Sequence, residues 1–538
     1  MNSIAPIDYI DPILTDARRV ATELRRLKPT RGQMLNYCKG LLAGTHIEAP
    51  LTAFASKLSK LDTDARYYWI GTFYTLLLSR EERSSQAAFF TPPHLARGLV
   101  DLARRQGFDP KRHTIIDPAA GGASFLSTIA GAMISAGLDG STIAQRLHGY
   151  ELDPELAALA EALLSDRIGI RVPKASVVEV KDSLKARPRK TYDLVIANPP
   201  YGRVKVGDVD GETWRKVCSP GHINKYALFA ELSFRLASKG GLVVLVIPSS
   251  FIAGPLYGKL RSFIRENGEV LAVSSVSRRD DVFVDVAQDI SVLVARAGTA
   301  HSAAHPVAFG TYDKEFKAVS AAPLPTAVDG AWLSQIGSRS LARGGATLSD
   351  YGAKLRAGYF VWNREGARMR TRRYVDLDVP LIWAKNIRPG ALCQPQARKR
   401  DGTDFVHFVD ESSGIIRTPA VVIQRTTNSS QLRRIVAARV APQVIKSWGG
   451  FTSENHTIVL TGPQTDMLDA LCFLLNSAAV DARYRLLSGT ASVSVSLLRE
   501  LDLPDPKHLQ DAIARHGKTE MAVEDAYARS QSLMEVGA

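Results

Sequence analysis

The sequence predicts an α/β protein built on a doubly wound, mainly parallel β-sheet. Apolar runs of strand length, such as residues 194–196 and 242–247, alternate with stretches of helical periodicity, which is typical of βαβ units. These runs end in prolines, glycines or acids, which stop a strand and begin a loop. No long helix fits between the predicted strands at residues 270–276 and 290–295, so this last pair can be antiparallel.

Length and composition favour a globular protein of two or three domains. The chain has 538 residues, is 45% hydrophobic and has a mean hydropathy of -0.06. Its start lacks the pattern of a secretory signal, and no apolar run reaches the roughly 20 residues of a membrane span. The four cysteines are spaced neither for zinc nor for a disulfide framework, so we expect no metal and a reducing, cytoplasmic environment.

The chain divides into four segments that differ in pattern. Residues 1–85 have helical spacing and show no chemistry, whereas residues 86–297 carry the alternating strands and helices. Residues 298–330 are rich in Ala, Pro and Gly, which predicts a connecting segment. Residues 331–538 hold short β-like runs with turns and, at residues 497–505, an extended exit. This last segment therefore predicts a separate α+β domain.

The second segment opens with a capped helix and a small-residue loop. Thr91 is placed as the N-cap of a helix that begins with proline. A predicted strand at residues 114–117 then leads into a loop at residues 118–123, whose small side chains let a ligand approach the backbone. Taken alone, Thr91 only caps a helix, and the loop could hold any nucleotide or none.

Two acids follow the next two strands. Glu151 ends the predicted strand at residues 148–151, and Asp182 follows the one at residues 176–180. At the carboxyl edge of such a sheet, an acid after the second strand suits a pair of ribose hydroxyls, and one after the third suits an adenine amino group. Each acid alone is more often a helix cap, but the two precede a further motif at the same edge.

That motif is Asn198-Pro199-Pro200-Tyr201, which directly follows the fourth strand. Prolines cannot continue a sheet ladder, so the turn lies at the ligand-binding edge. Asn198 Oδ1 and the Pro199 carbonyl are acceptors that could draw the amino nitrogen of a nucleobase toward a reactive tetrahedral geometry. Tyr201 could stack on that base. The alternative interpretation is that the four residues only end a strand.

Positive charge is concentrated in the C-terminal half. The net charge is +14, the pI is about 9.5, and residues 343–446 carry 19 Lys and Arg against 8 Asp and Glu. Arginines there alternate with aromatics, a mixture suited to gripping phosphates and contacting bases, so we expect a polyanionic partner. The densest cluster, whose alternative is a solvated charged face, consists of Arg368, Arg370, Arg372 and Arg373.

Together these motifs resemble the adenine-N6 DNA methyltransferases of the gamma arrangement, which belong to bacterial restriction–modification systems. The order of the Phe-Thr-Pro-Pro segment at residues 90–93, the Asp117 loop, the Asn-Pro-Pro-Tyr turn and a recognition domain is part of the likeness. The resemblance implies a Rossmann-like class I methyltransferase sheet of seven strands with the last pair antiparallel. It also implies S-adenosylmethionine as cofactor, double-stranded DNA as substrate and a cognate restriction endonuclease acting on the same site.

The resemblance also implies roles for individual residues. The methionine end of S-adenosylmethionine would be held by Thr91, Asp117, Ala119 and Gly121. Its ribose hydroxyls would bind Glu151 and its adenine amino group Asp182. The catalytic turn would be Asn198, Pro199, Pro200 and Tyr201, with Tyr201 and Phe283 against a flipped adenine. The usual family loop reads Asp-Pro-Ala-Cys-Gly-Ser-Gly, and its cysteine, serine and last glycine are replaced here by Ala120, Gly122 and Ala123.

Two other functions stay open. The same turn occurs in enzymes that methylate RNA or a protein glutamine, although the basic C-terminal domain favours DNA. The chain could also be a DNA-binding modification subunit that depends on a separate specificity protein, although an intact turn with both cofactor acids argues against this. Neither the recognition sequence nor the oligomeric state can be read from the sequence.

Overall fold

The chain folds into two compact units, residues 1–251 with 256–336, and residues 252–255 with 337–538. The computed structural model describes residues 12–44, 49–79, 82, 90–170, 177–187, 190–209, 211–276, 290–312, 316–324, 328–330, 332, 344–393, 405–410, 412–425, 431, 433–487 and 493–536.

The first unit is built on one large sheet. Its strands are β1 (Ile115–Asp117), β2 (Leu147–Glu151), β3 (Val178–Val180), β4 (Tyr192–Ala197), β5 (Ala237–Pro248), β6 (Gly268–Val276), β7 (Ile290–Ala297), β8 (Val307–Tyr312) and β9 (Phe316–Ala322). The order is β3-β2-β1-β4-β5-β7-β6-β8-β9. The strands β1 to β5 are parallel, and β7 runs antiparallel to both β5 and β6. The predicted α/β sheet with an antiparallel last pair is therefore confirmed, and two further strands extend it.

The two further strands lie in residues 298–330, for which composition predicts a connecting segment. Strand β8 pairs parallel with β6, and β9 pairs antiparallel with β8. The side chains of Val307, Phe309 and Tyr312 are buried. The prediction was wrong here because these few large residues are separated by small ones, so the alternation of a half-buried strand is weak in the sequence.

Helices cover the sheet of the first unit. They are α1 (Pro12–Arg25), α2 (Arg31–Ala43), α3 (Ala49–Leu58), α4 (Thr63–Leu77), α5 (Pro93–Arg105), α6 (Ser124–Ser135), α7 (Gly140–Arg146), α8 (Pro154–Ile168), α9 (Gly211–Val217), α10 (Lys225–Leu236), α11 (Ser250–Ala253) and α12 (Gly258–Asn267). The main core joins α5, α6 and α8 to the strands, with Leu99, Phe125 and Leu194 fully buried.

The four N-terminal helices share a second core with α8. Phe54 and Phe73 are buried in it together with Leu159 and Leu163, which lie on α8. Helix α8 therefore presents apolar side chains to both clusters, as expected for a helix that is buried on two sides. The helical residues predicted for the first segment thus pack directly on the layer that follows β2.

The second unit combines small sheets with helices. Its strands are β10 (Lys354–Ala357), β11 (Met369–Arg370), β12 (Asp378–Ile382), β13 (Ile387–Arg388), β14 (Ala391–Leu392), β15 (Phe405–His407), β16 (Ala420–Gln424), β17 (Ala437–Val440), β18 (Thr452–Ser453) and β19 (Thr457–Thr461). Its helices are α13 (Trp362–Glu365), α14 (Pro442–Trp448), α15 (Thr465–Leu475), α16 (Ala478–Leu487), α17 (Val495–Arg499), α18 (Pro506–His516) and α19 (Glu520–Val536).

The extended exit predicted at residues 497–505 is only partly extended. Helix α17 occupies its first residues, and Leu503 then pairs with Ala346 in an isolated bridge. Leu497 and Leu498 are buried in this one-turn helix, which is too short to show a clear apolar periodicity in the sequence. None of the described helices has the length and apolar character needed to cross a lipid bilayer.

Candidate active site

A cavity of about 860 Å³ lies at the carboxyl ends of β1 to β4. The residues predicted to bind the cofactor all line it, namely Thr91, Asp117, Ala119, Gly121, Glu151 and Asp182. Asn198 and Pro200 of the predicted catalytic turn line the same cavity. The structure therefore brings the two predicted groups of residues together, while their individual roles stay predictions.

The loop after β1 wraps closely around a buried acid. The carboxylate of Asp117 accepts a hydrogen bond from the backbone N–H of Ala119 at 2.9 Å. The N–H of Ala120 donates to the Tyr150 carbonyl on β2 at 3.0 Å. Ala123 then has a φ of 59°, a left-handed conformation that costs a non-glycine residue about 1–2 kcal/mol. The alanine that replaces the usual glycine thus adopts a glycine conformation, and α6 begins directly after it.

Burial raises the pKa of the Asp117 carboxyl from its ordinary 3.8 to about 8, against the lowering effect of the Ala119 bond. Because the unfolded chain ionises at the lower value, ionisation of Asp117 opposes folding. The stability from its protonated form is fully present below about pH 4 and is lost as pH rises through the folded value.

We expect Asp117→Asn, which cannot ionise, to flatten the fall of the melting temperature between about pH 6 and about pH 8.5. Differential scanning calorimetry across that range measures the slope. Asp193→Asn is the matched control, since the bonds that Asp193 accepts from Thr114 hold its pKa below the ordinary value despite burial. An Asp117→Asn slope equal to that of the wild type would contradict the assignment.

Glu151 links the ends of two loops. Its Oε2 accepts from the Gly121 N–H and its Oε1 from the Asp153 N–H, both at 2.9 Å. Burial raises the pKa of the Glu151 carboxyl to about 7. The carboxylate therefore links the turn after β2 to the loop after β1. Glu151 also lines the cavity, where its oxygens can accept further hydrogen bonds.

Asp182 is more fully engaged in local contacts. Its Oδ1 accepts from the Leu184 N–H at 3.1 Å, which caps a short 3-10 helix, and its Oδ2 lies 3.3 Å from Lys185 Nζ. The carboxylate is one-third exposed at the cavity wall. A ligand that binds Asp182 would therefore share its carboxylate with the N–H of Leu184.

The catalytic candidate Asn198 is bonded on both sides of its amide. Its Nδ2 donates to Thr91 Oγ1 at 3.3 Å. The hydroxyl of Tyr201 lies 2.9 Å from Asn198 Oδ1 and 3.3 Å from the Val246 carbonyl, and its single hydrogen can be donated to one of them at a time. Burial raises the pKa of the Tyr201 phenol, so this group is a neutral donor. The Asn198 amide is thereby held between the Phe-Thr-Pro-Pro segment and the core.

The other two residues of the predicted catalytic turn are Pro199 and Tyr201. Pro199 is buried, and Tyr201 packs against the main core, so neither is among the described residues that line the cavity. The Tyr201 hydroxyl contacts Asn198 and the Val246 carbonyl here, and stacking of its ring on a target base stays a prediction. Phe283, the other predicted base contact, lies outside the described residues.

Phe90 fixes the position of Thr91 by filling a slot between two glycines. A Cβ atom on Gly122 would lie 1.7 Å from Phe90 Cε1, and one on Gly71 of α4 would lie 2.2 Å from the same atom. Only glycine therefore fits at either position while the ring stays in place. The departure from serine at Gly122 thus has a steric reason that is visible only in the structure.

Several cavity residues were missed from the sequence. Leu152 follows Glu151, lines the cavity and is 67% exposed, so an aromatic ring of a ligand can pack against it. Lys225 and Phe229 lie one turn apart on α10, and Arg31 comes from the start of α2. An exposed leucine beside a strand-end acid could have been noted in the sequence, whereas nothing in the sequence marks Arg31.

The four arginines of the predicted DNA-binding cluster are not equivalent. Arg368 stacks 4.5 Å from the Phe408 ring, and Arg370 donates to nearby backbone carbonyls. Arg373 donates to Asp376 at 3.0 Å. Arg372 is exposed and lies 4.9 Å from the ring centroid of Tyr374. Arg368, Arg370 and Arg373 each donate to backbone carbonyls, whereas the described contact of Arg372 is with the exposed Tyr374 ring.

All four cysteines are free, and the described residues hold no cluster of His, Cys, Asp and Glu with metal-binding geometry.

Residues 67–323, which include the whole cavity edge from Thr91 to Asn198, match the family described as N-6 DNA methylase. The match identifies this part of the chain, 257 of 538 residues, as an N-6 DNA methylase domain. The match, together with similarity to type II methyltransferases, confirms the family predicted from the motifs and with it the enzyme class, an adenine-specific DNA methyltransferase. The strand order β3-β2-β1-β4-β5-β7-β6 with an antiparallel β7 is the class I S-adenosylmethionine-dependent methyltransferase sheet that the resemblance implies.

Individual relatives are distant. The type II methyltransferase M.TthHB8I of Thermus thermophilus is 28% identical over 193 residues, which are 33% of this N-6 DNA methylase and 38% of that enzyme. M.BsuBI of Bacillus subtilis, also a type II methyltransferase, is 22% identical over 455 residues, or 79% and 88% of the two chains. The type IIL restriction-modification enzyme MmeI, solved in complex with DNA, has a TM-score of 0.51 at 12% identity and covers 91% of this chain and 81% of that one. That last likeness is one of fold alone.

Proposed function

We propose that this N-6 DNA methylase transfers the methyl group of S-adenosylmethionine to N6 of adenine in a short sequence of double-stranded DNA, as the modification enzyme of a restriction–modification system. The observation that carries the proposal is the single cavity shared by Asn198 and the acids Asp117 and Glu151. An amide acceptor within reach of a nucleotide-like cofactor site is what transfer to an exocyclic amine requires.

The cavity fits the cofactor by the chemistry of its donors and acceptors. Glu151 is a nearly buried carboxylate suited to two hydroxyls, and Leu152 offers an apolar face for an adenine ring. Backbone N–H groups at the start of α6 and the hydroxyl of Thr91 can bind a carboxylate. When bound, S-adenosylmethionine supplies an electrophilic methyl group on a sulfonium centre.

Asn198 would hold the adenine that receives the methyl group. Its Oδ1 accepts a hydrogen bond from N6, and its Nδ2 stays fixed by Thr91 Oγ1. The Tyr201 hydroxyl then turns to the Val246 carbonyl, so that Asn198 Oδ1 becomes available without leaving a buried donor unpaired. The second proposed acceptor for N6 is the backbone carbonyl of Pro199, whose two neighbours Asn198 and Pro200 line the cavity. Because N6 cannot be reached inside a duplex, the adenine must be flipped into the cavity.

The second unit would bind the DNA backbone through the arginine cluster. Among Arg368, Arg370, Arg372 and Arg373, we place Arg372 first, because its guanidinium is exposed and stacked on an exposed tyrosine. Phosphate contacts of this kind add affinity without reading sequence. A cognate restriction endonuclease acting on the same site is proposed as a functional partner, and with chromosomal DNA as substrate the enzyme would work in the bacterial cytoplasm.

We expect Arg372→Ala to lower the slope of log affinity against log salt concentration by about one unit while leaving the sequence preference unchanged. Fluorescence anisotropy with the cognate duplex and a scrambled duplex at several salt concentrations measures both quantities. Arg529→Ala is the matched control, since this exposed arginine of α19 pairs with Asp525 on its own helix. An Arg372→Ala slope equal to that of the wild type would remove Arg372 from the interface.

The function itself is tested by incubating the protein with tritiated S-adenosylmethionine and plasmid DNA, tRNA or total protein. We expect label in DNA alone, and single-molecule sequencing of DNA from a host that expresses the chain should locate N6-methyladenine in one sequence context. Label in tRNA or protein would support the two other methyltransferase functions instead. Label that appears only after a specificity protein is added would make the chain a modification subunit.

A further inference from the structure

Arg31, at the start of α2, reaches the cavity from the N-terminal helices. It forms an ion pair with the carboxylate of Asp153 and lines the cavity wall. Its guanidinium also lies 5.5 Å from the ring centroid of Tyr74, and its Nη1 lies 4.0 Å from Glu82. An arginine paired with one buried acid and packed against an aromatic ring loses much of its rotational freedom, which restricts the position of its guanidinium.

Asp153 connects Arg31 to Glu151, the proposed acceptor for the ribose hydroxyls. Asp153 is 7% exposed, its Oδ1 accepts from the Leu156 N–H at 3.0 Å to cap α8, and its Oδ2 pairs with Arg31. Its own backbone N–H donates to Glu151 Oε1 at 2.9 Å. Both carboxylate oxygens of Asp153 and its backbone N–H therefore have partners, and the partner of the N–H is Glu151.

We propose that Arg31 is a positioning residue for the cofactor site, which acts through Asp153 to set the turn that carries Glu151. The inference rests on the proposed function, because Glu151 is taken there as the ribose acceptor. It gives the N-terminal helices a role in the reaction, since α2 supplies the far end of a chain of contacts that runs from Arg31 to Asp153, Glu151 and Gly121.

The contacts of Arg31 indicate which end of the cofactor it serves. Its charge is balanced by the ion pair with the buried Asp153 carboxylate. Its connection through Asp153 leads to Glu151, at the ribose. The loss of Arg31 should therefore weaken ligands that keep the ribose, whether or not they carry the amino-acid end.

The test is calorimetric binding of S-adenosylmethionine and of 5′-methylthioadenosine, which lacks the amino-acid end, to the full chain. We expect Arg31→Met to weaken both ligands about tenfold and to raise KM for S-adenosylmethionine while kcat on DNA stays within about threefold. The matched control is Arg97→Met. Arg97 bonds Asp64 at 2.7 Å and Asp62 at 2.6 Å, also joins the N-terminal helices to the sheet layer, and is not among the described residues that line the cavity. Its variant should keep both affinities within twofold.

Further variants separate positioning from a loss of fold. Asp153→Asn keeps an acceptor for the α8 cap but removes the charge, and combining it with Arg31→Met should weaken binding no more than the larger single change, because both break the same link. If Arg31→Met does not fold, Arg31→Lys decides, with an expected loss of about threefold for both ligands.

Wild-type affinity in a folded Arg31→Met variant, or in Arg31→Lys where the former fails to fold, overturns the proposal. Weakened S-adenosylmethionine with unchanged 5′-methylthioadenosine also overturns it, since Arg31 would then serve the methionine end. A wild-type chain that binds neither ligand would instead refute the proposed cofactor, and with it the function.

Discussion

The Asn198→Ala enzyme is expected to bind S-adenosylmethionine within a few-fold of the wild type and to turn over about 10²–10³-fold more slowly, the loss typical of a preorganised hydrogen-bonding group that acts in the transition state. Asn198 contacts Thr91 and Tyr201, and it follows β4, which lies on the other side of β1 from β2, the strand that ends at Glu151. Its removal should therefore act on the chemical step rather than on cofactor binding.

Single-turnover methylation of a cognate duplex, with calorimetric cofactor binding beside it, measures the two quantities. Asn224→Ala serves as the matched control, since Asn224 lies just before α10 and its side chain bonds the His222 carbonyl outside the cavity. Thermal melting of both variants checks that the fold survives the lost bonds. Near-wild-type methylation by Asn198→Ala would contradict the catalytic role of Asn198.

Removal of the cofactor acids has the second largest expected effect. Glu151→Ala should weaken S-adenosylmethionine by roughly 1–3 kcal/mol, the range for a hydrogen bond to a buried charged acceptor, which is about 5- to 150-fold in Kd. We expect Asp182→Ala to fall at the low end of that range, because its carboxylate is more exposed and is shared with Leu184 and Lys185.

Calorimetry measures both affinities, and Glu161→Ala is the matched control. Glu161 on α8 accepts from the Val178 N–H, so it is a backbone-bonded acid of the same sheet layer that does not line the cavity. Unchanged cofactor affinity in both acid variants would mean that Glu151 and Asp182 serve only as loop and helix caps.

The cavity edge could be predicted from the sequence because its signals are local. Strand ends followed by an acid, a glycine or two prolines specify both where a strand stops and which groups stand at its carboxyl edge. Parallel pairing then brings Asp117, Glu151 and Asn198 together without any further information. These residues are distant in sequence but adjacent through the order of the strands.

The remaining features depend on contacts that no local pattern encodes. Arg31 and Asp153 are 122 residues apart, and neither is unusual in its own segment. The Tyr201 hydroxyl turns to Asn198 because burial demands an acceptor, a requirement that appears only once the chain is packed. Strands β8 and β9 gain their place from pairing with β6, although their composition is typical of a linker.

The ring of Phe90 between Gly71 and Gly122 constrains how this enzyme can evolve. A serine at position 122, usual in the family loop, cannot coexist with Phe90 in its present place. The same holds for any side chain at position 71 on α4. Changes at these three sites are therefore epistatic: a larger residue in the cofactor loop is tolerated only after the aromatic ring has shrunk or left. The order of substitutions, and not only their sum, decides which related loops this chain could reach.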